Sequence, residues 1–168
     1  MKRSLIICAL VVITVAATTH AQVNPAKLKI NGLAGLDSTY AQVVRAFGRP
    51  VRDGKATHEE CIGGREKTIG YVGLKLYFMD GDSRGGKTFE VKSYFVTSAK
   101  WTVSGVKVGD SQAVVKAKFG TKYTVDRRTD GGGLAWHYEM DDKTGPGTTT
   151  VIFKNGKVVE IDSAFQVC

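Results

Sequence analysis

Two stretches of the chain alternate apolar and polar residues and then stop at a turn dipeptide. Leu74 to Gly81 reads LKLYFMDG, and Thr149 to Gly156 reads TTVIFKNG. A period of two puts alternate side chains on opposite faces of a strand, and Asp-Gly or Asn-Gly is the strongest short hairpin signal. A second strand is predicted after each turn, EVKSYF at Glu90 to Phe95 and EIDSAF at Glu160 to Phe165. An earlier strand is predicted at Thr68 to Tyr71 in one half and at Leu134 to Met140 in the other. Upstream of each set the period changes to a helical one. AQVVRAFGRP, Ala41 to Pro50, and AVVKAKFGTK, Ala113 to Lys122, both reach Phe-Gly, where glycine accepts the left-handed backbone of a helix stop. Pro50 blocks further helix in the first; the second stop rests on Gly120 alone.

The segments before the helices match as well. INGLAGLDS, Ile30 to Ser38, and VSGVKVGDS, Val103 to Ser111, end in Asp and Ser side chains able to cap free backbone N–H groups. Matching blocks in one order predict a tandem duplication. The expected fold class is α+β: two tandem repeats, each a short helical segment followed by an antiparallel β-meander, with the helices on one face of the sheet. Residues 22–100 form the first repeat and 101–168 the second.

Alternation also assigns faces. Leu76, Phe78, Val91 and Phe95 point one way in the first repeat, as do Val151, Phe153, Ile161 and Phe165 in the second. These should lie under Val43, Val44 and Phe47, or Val114, Val115 and Phe119. A short helix covers one sheet face, which leaves the other open. On that face the first repeat carries Lys75, Tyr77, Met79, Lys92 and Tyr94, and the second Thr150, Ile152, Lys154, Asp162 and Ala164. Aromatic, Met and Lys side chains together suit a protein or polymer partner; a solvated face with scattered tyrosines is the alternative. Trp136 and Tyr138 share one side of their strand and read as core, with an aromatic binding stripe as the alternative.

The N-terminus changes the compartment. Met1-Lys2-Arg3, a run of apolar residues from Leu5 to Ala17 and the small residues of Thr19-His20-Ala21 read as a secretory signal peptide, residues 1–21, cleaved after Ala21. The apolar run is short for a membrane anchor, and no later stretch approaches a transmembrane span. Cys8 follows Ile7 inside the apolar run, an unsuitable place for lipid attachment. A secreted or periplasmic location follows. Removing residues 1–21 takes Lys2 and Arg3 from the 24 basic residues and none of the 16 acidic ones, leaving a net charge of +6. The excess lies mostly before Lys100 and favours anionic surfaces, but no dense basic run marks a nucleic-acid groove.

Cys61 and Cys168 remain after processing, a candidate disulfide in an oxidising compartment. Closing that loop of about 107 residues is worth ~4–5 kcal/mol on the chain-entropy model. Separate thiols, or pairing between molecules through Cys168, are the alternatives.

The segments Asp37-Ser38 to Gly48-Arg49-Pro50 and Asp110-Ser111 to Gly120, with Trp136-His137-Tyr138 and the closing Phe153-Lys154-Asn155-Gly156-Lys157-Val158, resemble the beta-lactamase inhibitory protein fold. The small outer-membrane assembly lipoproteins, built on a single such unit, are similar too. The resemblance covers Lys29 to Phe165 and implies a non-enzymatic protein that binds other proteins through its sheet face and loops. The inhibitor carries a disulfide in each repeat and the lipoproteins a lipid-bearing cysteine at the cleavage site. This chain has neither, so neither specific activity is carried over.

Catalytic chemistry is sparse. His58 and His137 are the mature chain's histidines, and no Gly-x-Ser-x-Gly motif is present. His58 and Cys61 stand at ligand spacing, yet a second pair is missing, so no metal site is expected. A Cys61/His137 dyad would need a reduced cysteine. Gly85-Gly86 and Gly131-Gly132-Gly133 lack the strand-to-helix setting of a phosphate loop and read as hairpin connections. Arg45, Arg49, Arg52 and Lys55 form a loose basic cluster near the first helix end. No cofactor and no catalytic residue is assigned. The expectation is a non-enzymatic binding module whose partner is another exported or envelope protein. The alternative is a structural cell-envelope protein associating with an anionic envelope polymer. Neither reading involves nucleic acid.

Overall fold

The computed structural model describes residues 22–60, 63–80, 88–127, 133–140 and 146–165. The expected signal peptide at residues 1–21, Cys61, Cys168, Gly81 of the first turn, Gly85-Gly86 and Gly131-Gly132 lie outside the described residues.

Most of the described chain enters one antiparallel sheet. Its strands are β1 (Arg52–Asp53), β2 (Thr57–Glu59), β3 (Gly64–Tyr71), β4 (Leu74–Met79) and β5 (Glu90–Val96) from the first half. The second half adds β8 (Thr124–Arg127), β9 (Leu134–Glu139), β10 (Gly147–Lys154) and β11 (Lys157–Phe165). The order is β1-β3-β4-β5-β11-β10-β9-β8, with β2 also paired to β3. The halves therefore meet where β5 and β11 pair, Tyr94 opposite Ser163. A small hairpin, β6 (Thr102–Val103) with β7 (Val106–Lys107), precedes the second helix. The architecture is α+β and dominated by its sheet.

The helices are α1 (Tyr40–Phe47) and α2 (Gln112–Phe119). Each ends at a glycine with positive φ, 81° at Gly48 and 90° at Gly120, the conformation an L-residue disfavours. A tyrosine secures each stop: the Tyr71 hydroxyl donates to the Gly48 carbonyl at 2.9 Å, and Tyr138 to that of Gly120 at 3.4 Å. The N-terminal caps depart from expectation. Thr39, rather than Asp37 or Ser38, caps α1 in a reciprocal box with Gln42, while Ser111 makes no side-chain cap bond. Ser38 instead accepts from the Gly35 N–H at 2.9 Å.

Two turns clasp each other before the helices. Asn31-Gly32 and Ser104-Gly105 both take positive φ. The Asn31 side chain accepts from the Thr102 N–H at 2.8 Å, and the Ser104 hydroxyl from the Lys29 N–H at 3.0 Å. Ile30 and Val103 form a bridge between the halves and are fully buried.

The core lies between the sheet and these segments. Leu76, Phe78, Val151, Phe153 and Ile161 are buried beneath the helical side with Val43, Val115 and Phe119. Each large apolar side chain buried there is worth about 1.5–3 kcal/mol relative to exposure. Phe47 packs edge-on against Trp101 and Tyr71, and Phe119 against Tyr138. Trp136 and Tyr138 belong to this core, 3 % and 0 % exposed, and His137 faces the other way. Phe165 and Val44 are partly buried.

Strand β5 corrects the predicted faces. Tyr77 pairs with Ser93, but the next residue, Phe78, pairs with Val91. Lys92 is thus an extra residue, a β-bulge that reverses the alternation after it. Val91, Tyr94 and Val96 point inward, all 0 % exposed, and Phe95, expected in the core, pairs with Lys75 on the opposite face. In β11 the same irregularity falls at Val159, since Ile152 pairs with Glu160 and Phe153 with Val158. The counterpart of VKSYFV, 91–96, is therefore VVEIDS, 158–163, and the match of EVKSYF to EIDSAF is out of register by three residues.

Candidate functional site

The face opposite the helices is organised by one row of cross-strand neighbours. Arg52 pairs with Gly70, Gly70 with Lys75, Lys75 with Phe95, and Phe95 with Asp162. The row continues through Thr150 and His137 to Thr124 at the far edge. Neighbours in such a row lie side by side on one face. A depression of about 700 Å³ opens over its first part, lined by Val51, Arg52, Gly70, Val72, Lys75 and Phe95 among others.

Of the five residues expected on the open face, Lys75 is exposed and Tyr77 partly so. The Tyr77 hydroxyl donates to Glu66, which also accepts from Thr57. The other three are corrected. Tyr94 is buried because the bulge turns it inward. Burial pushes its phenol far above the ordinary tyrosine value, against a smaller opposing pull from Ser163. Ser163 itself bonds Thr149 at 2.8 Å, and among the described residues the Tyr94 hydroxyl has no hydrogen-bond partner. Met79 shares the open side with Tyr77 but is only 3 % exposed, hemmed between Glu66 and Glu90 on the flanking strands.

Lys92 is occupied within the molecule. Its ammonium contacts Asp37 at 2.8 Å and Glu90 at 3.0 Å. Desolvation alone would lower its pKa, but these two carboxylates outweigh it and raise the value. Lys92 is the extra residue of the bulge, and its ammonium joins Glu90 on its own strand to Asp37 in the loop before α1.

Phe95 is the residue that face assignment missed. A signal for it does exist in the chain. Val91, Tyr94 and Val96 are spaced by three and then two, and Val158, Ile161 and Ser163 share that spacing, whereas an unbroken strand repeats every two. The basic cluster divides as well: Arg52 enters β1 at the rim of the depression, while Arg45 sits on α1.

Other ionised groups serve structure. Asp53 faces the helical side, held at 2.7 Å by both Lys67 and the Tyr40 hydroxyl. The hydrogen bonds from Lys67 and Tyr40 lower its pKa, while the Asp53 bond raises that of Tyr40. Asp80, at the end of β4, accepts from the Arg65 backbone N–H at 2.5 Å and its Nε at 2.7 Å. Burial there would raise the carboxyl, but the Arg65 bonds outweigh it and hold the pKa below the usual range. His137 Nδ1 lies 3.0 Å from the Thr150 hydroxyl, and His58 is exposed on β2. Among the described residues no three His, Cys, Asp or Glu side chains converge as metal ligands. No helix among them is long and apolar enough to cross a membrane.

No family model matches the chain, and no curated protein matches it. Among solved structures it is similar to an extracellular protein containing a SCP domain from Bacillus anthracis, at 11 % identity and a TM-score of 0.43. That likeness covers 99 % of this chain and 50 % of the other, so the chain spans half the length of the protein it matches.

Proposed function

We propose that this chain is a secreted or periplasmic, non-enzymatic binding module made of two tandem copies of a helix-and-meander unit. It acts by protein–protein contact on the sheet face opposite the helices. The observation that carries this reading is the row of Lys75 and Phe95 with partly exposed Tyr77, beside a depression of about 700 Å³. Partly exposed aromatics next to a cationic rim are what protein interfaces use as anchors. The first half is the better surface, since Ile152 and Ala135 on the same side of the second half are 7 % and 2 % exposed. Duplication is supported by the paired glycine stops, the paired tyrosine bonds to them, and the bulge in both final strands.

The reading is tested by capture from the exported proteins of the source organism. The wild type and an Arg45→Ser control on α1 should retain the same partner, and Tyr77→Ala/Phe95→Ala should lose it. If the double variant captures the same partner as the wild type, the sheet-face reading fails. The rim cations Arg52 and Lys75, in no ion pair among the described residues, favour a second reading, a structural envelope protein associating with anionic polymer. Retention on such a polymer that moderate salt abolishes, whatever the state of Tyr77 and Phe95, would select it.

A further inference from the structure

The depression has a chemical identity of its own. Arg52 and Lys75 stand on either side of Gly70 in one cross-strand row. Strands are spaced by about 4.8 Å, which puts the two backbones roughly 10 Å apart with no side chain between them. The result is a notch whose floor is the β3 backbone and whose end walls carry a guanidinium and an ammonium. Phe95 continues the row beyond Lys75, and Val51 and Val72 add apolar surface. None of the described residues that line the depression is acidic. Among the described residues, no carboxylate lies within ion-pair distance of either cation. Lys67, Arg65 and Lys92, by contrast, are all matched to carboxylates.

We propose that this notch receives the carboxylate of an acidic residue on a partner protein, seated between Arg52 and Lys75, with an adjoining apolar side chain of the partner against Phe95. This rests on the protein-binding reading of the same face. An evenly charged polymer would satisfy the cations but leave the apolar wall unused; an acidic residue flanked by apolar ones satisfies both. A guanidinium offers paired donors to a carboxylate, and the ammonium adds a point charge.

Gly70 allows the notch to be filled without breaking the sheet. A Cβ built there meets only the Arg52 Cβ at 3.6 Å, an ordinary contact, and its backbone is not left-handed. Gly70→Val therefore introduces a strand-favouring side chain into the space a ligand would occupy. The probe is sodium benzoate, a carboxylate on an apolar ring, titrated into the ¹⁵N-labelled mature chain and followed by amide shifts. Benzamide is the neutral control of the same shape. Benzoate should shift Gly70, Lys75 and Phe95 saturably, with benzamide at least tenfold weaker. Gly70→Val should abolish those shifts while retaining a cooperative melt, and Lys75→Gln should weaken them severalfold. Should valine disturb the fold, Gly70→Ala with its single methyl is the second variant, expected to weaken binding severalfold.

Three results overturn the notch: no saturable shift up to about 50 mM benzoate, equal binding of benzamide, or binding that survives Gly70→Val. Any of these with partner capture still lost in Tyr77→Ala/Phe95→Ala removes the notch and leaves the module reading standing. Capture insensitive to that double variant removes the module reading itself.

Discussion

Tyr94 and Phe95 are adjacent aromatic residues of similar size, so truncating each in turn measures which one the bulge at Lys92 sends into the core. Tyr94 is 0 % exposed and lies between Leu76 on β4 and Ser163 on β11. Removing a buried aromatic side chain costs about 3–5 kcal/mol, combining lost transfer energy with the cavity left behind. Part of this is offset, because the Tyr94 hydroxyl has no hydrogen-bond partner among the described residues. A buried unpaired neutral hydroxyl carries a desolvation penalty of about 1 kcal/mol, taken from the lower end of the usual range. Tyr94→Ala should therefore cost roughly 2–4 kcal/mol. Tyr94→Phe, which keeps the ring and drops the hydroxyl, should be neutral or stabilising by up to ~1 kcal/mol. Phe95→Ala, from a partly exposed position without a cavity to leave, should stay below about 1.5 kcal/mol.

Urea unfolding separates these values. With m near 2 kcal/mol/M, Tyr94→Ala should lower the midpoint by about 1–2 M, Phe95→Ala by well under 1 M, and m should be unchanged. Simple alternation from Val91 forecasts the reverse order. A larger loss at Phe95 than at Tyr94, at equal m, would refute the bulge-based assignment and with it the open-face row. A destabilised Tyr94→Phe would instead show that the hydroxyl is bonded.

The two helix starts should respond unequally to the same kind of change. Thr39→Ala removes a reciprocal capping box and should cost ~1 kcal/mol, whereas Ser111→Ala, with no cap bond to lose, should cost under about 0.5 kcal/mol. Equal losses in thermal unfolding would contradict the cap geometry. Asp80 supplies a pH signature. Its folded pKa is depressed by the Arg65 bonds, so its contribution is complete above the ordinary carboxylate value of about 3.9 and is lost as pH falls through the folded value. Asp80→Asn should thus be less stable than wild type at pH 7, with the gap narrowing below about pH 4. A gap that stays constant on acidification would sink that account.

What was legible in the chain was local. The period of two in LKLYFMDG and TTVIFKNG, the Phe-Gly stops and the Asn155-Gly156 turn depend on neighbours a few residues away, and each corresponds to an observed element. The short strands β1, β2 and β8 were not foreseen, because they are largely exposed and their residues carry no apolar rhythm. The cap at Thr39 rather than Asp37 was missed for a different reason: several side chains near a helix start can accept a hydrogen bond, and backbone direction selects among them.

The candidate site was legible only in part. Lys75 and Tyr77 lie on β4, which keeps its alternation, and both reach the open face as expected. Lys92, Tyr94 and Phe95 lie at or beyond the bulge, where one extra residue exchanges the faces. A bulge is a relation between two strands, so the spacing of apolar residues hints at it but only pairing establishes it. The notch goes further still, since Arg52, Gly70, Lys75 and Phe95 come from four strands and acquire a common face only through their register. The sequence by itself determined which segments are strands and helices, because apolar periodicity is written along the chain. The tertiary structure alone decided which side chains stand together, because cross-strand register depends on long-range pairing and one added residue inverts a whole face.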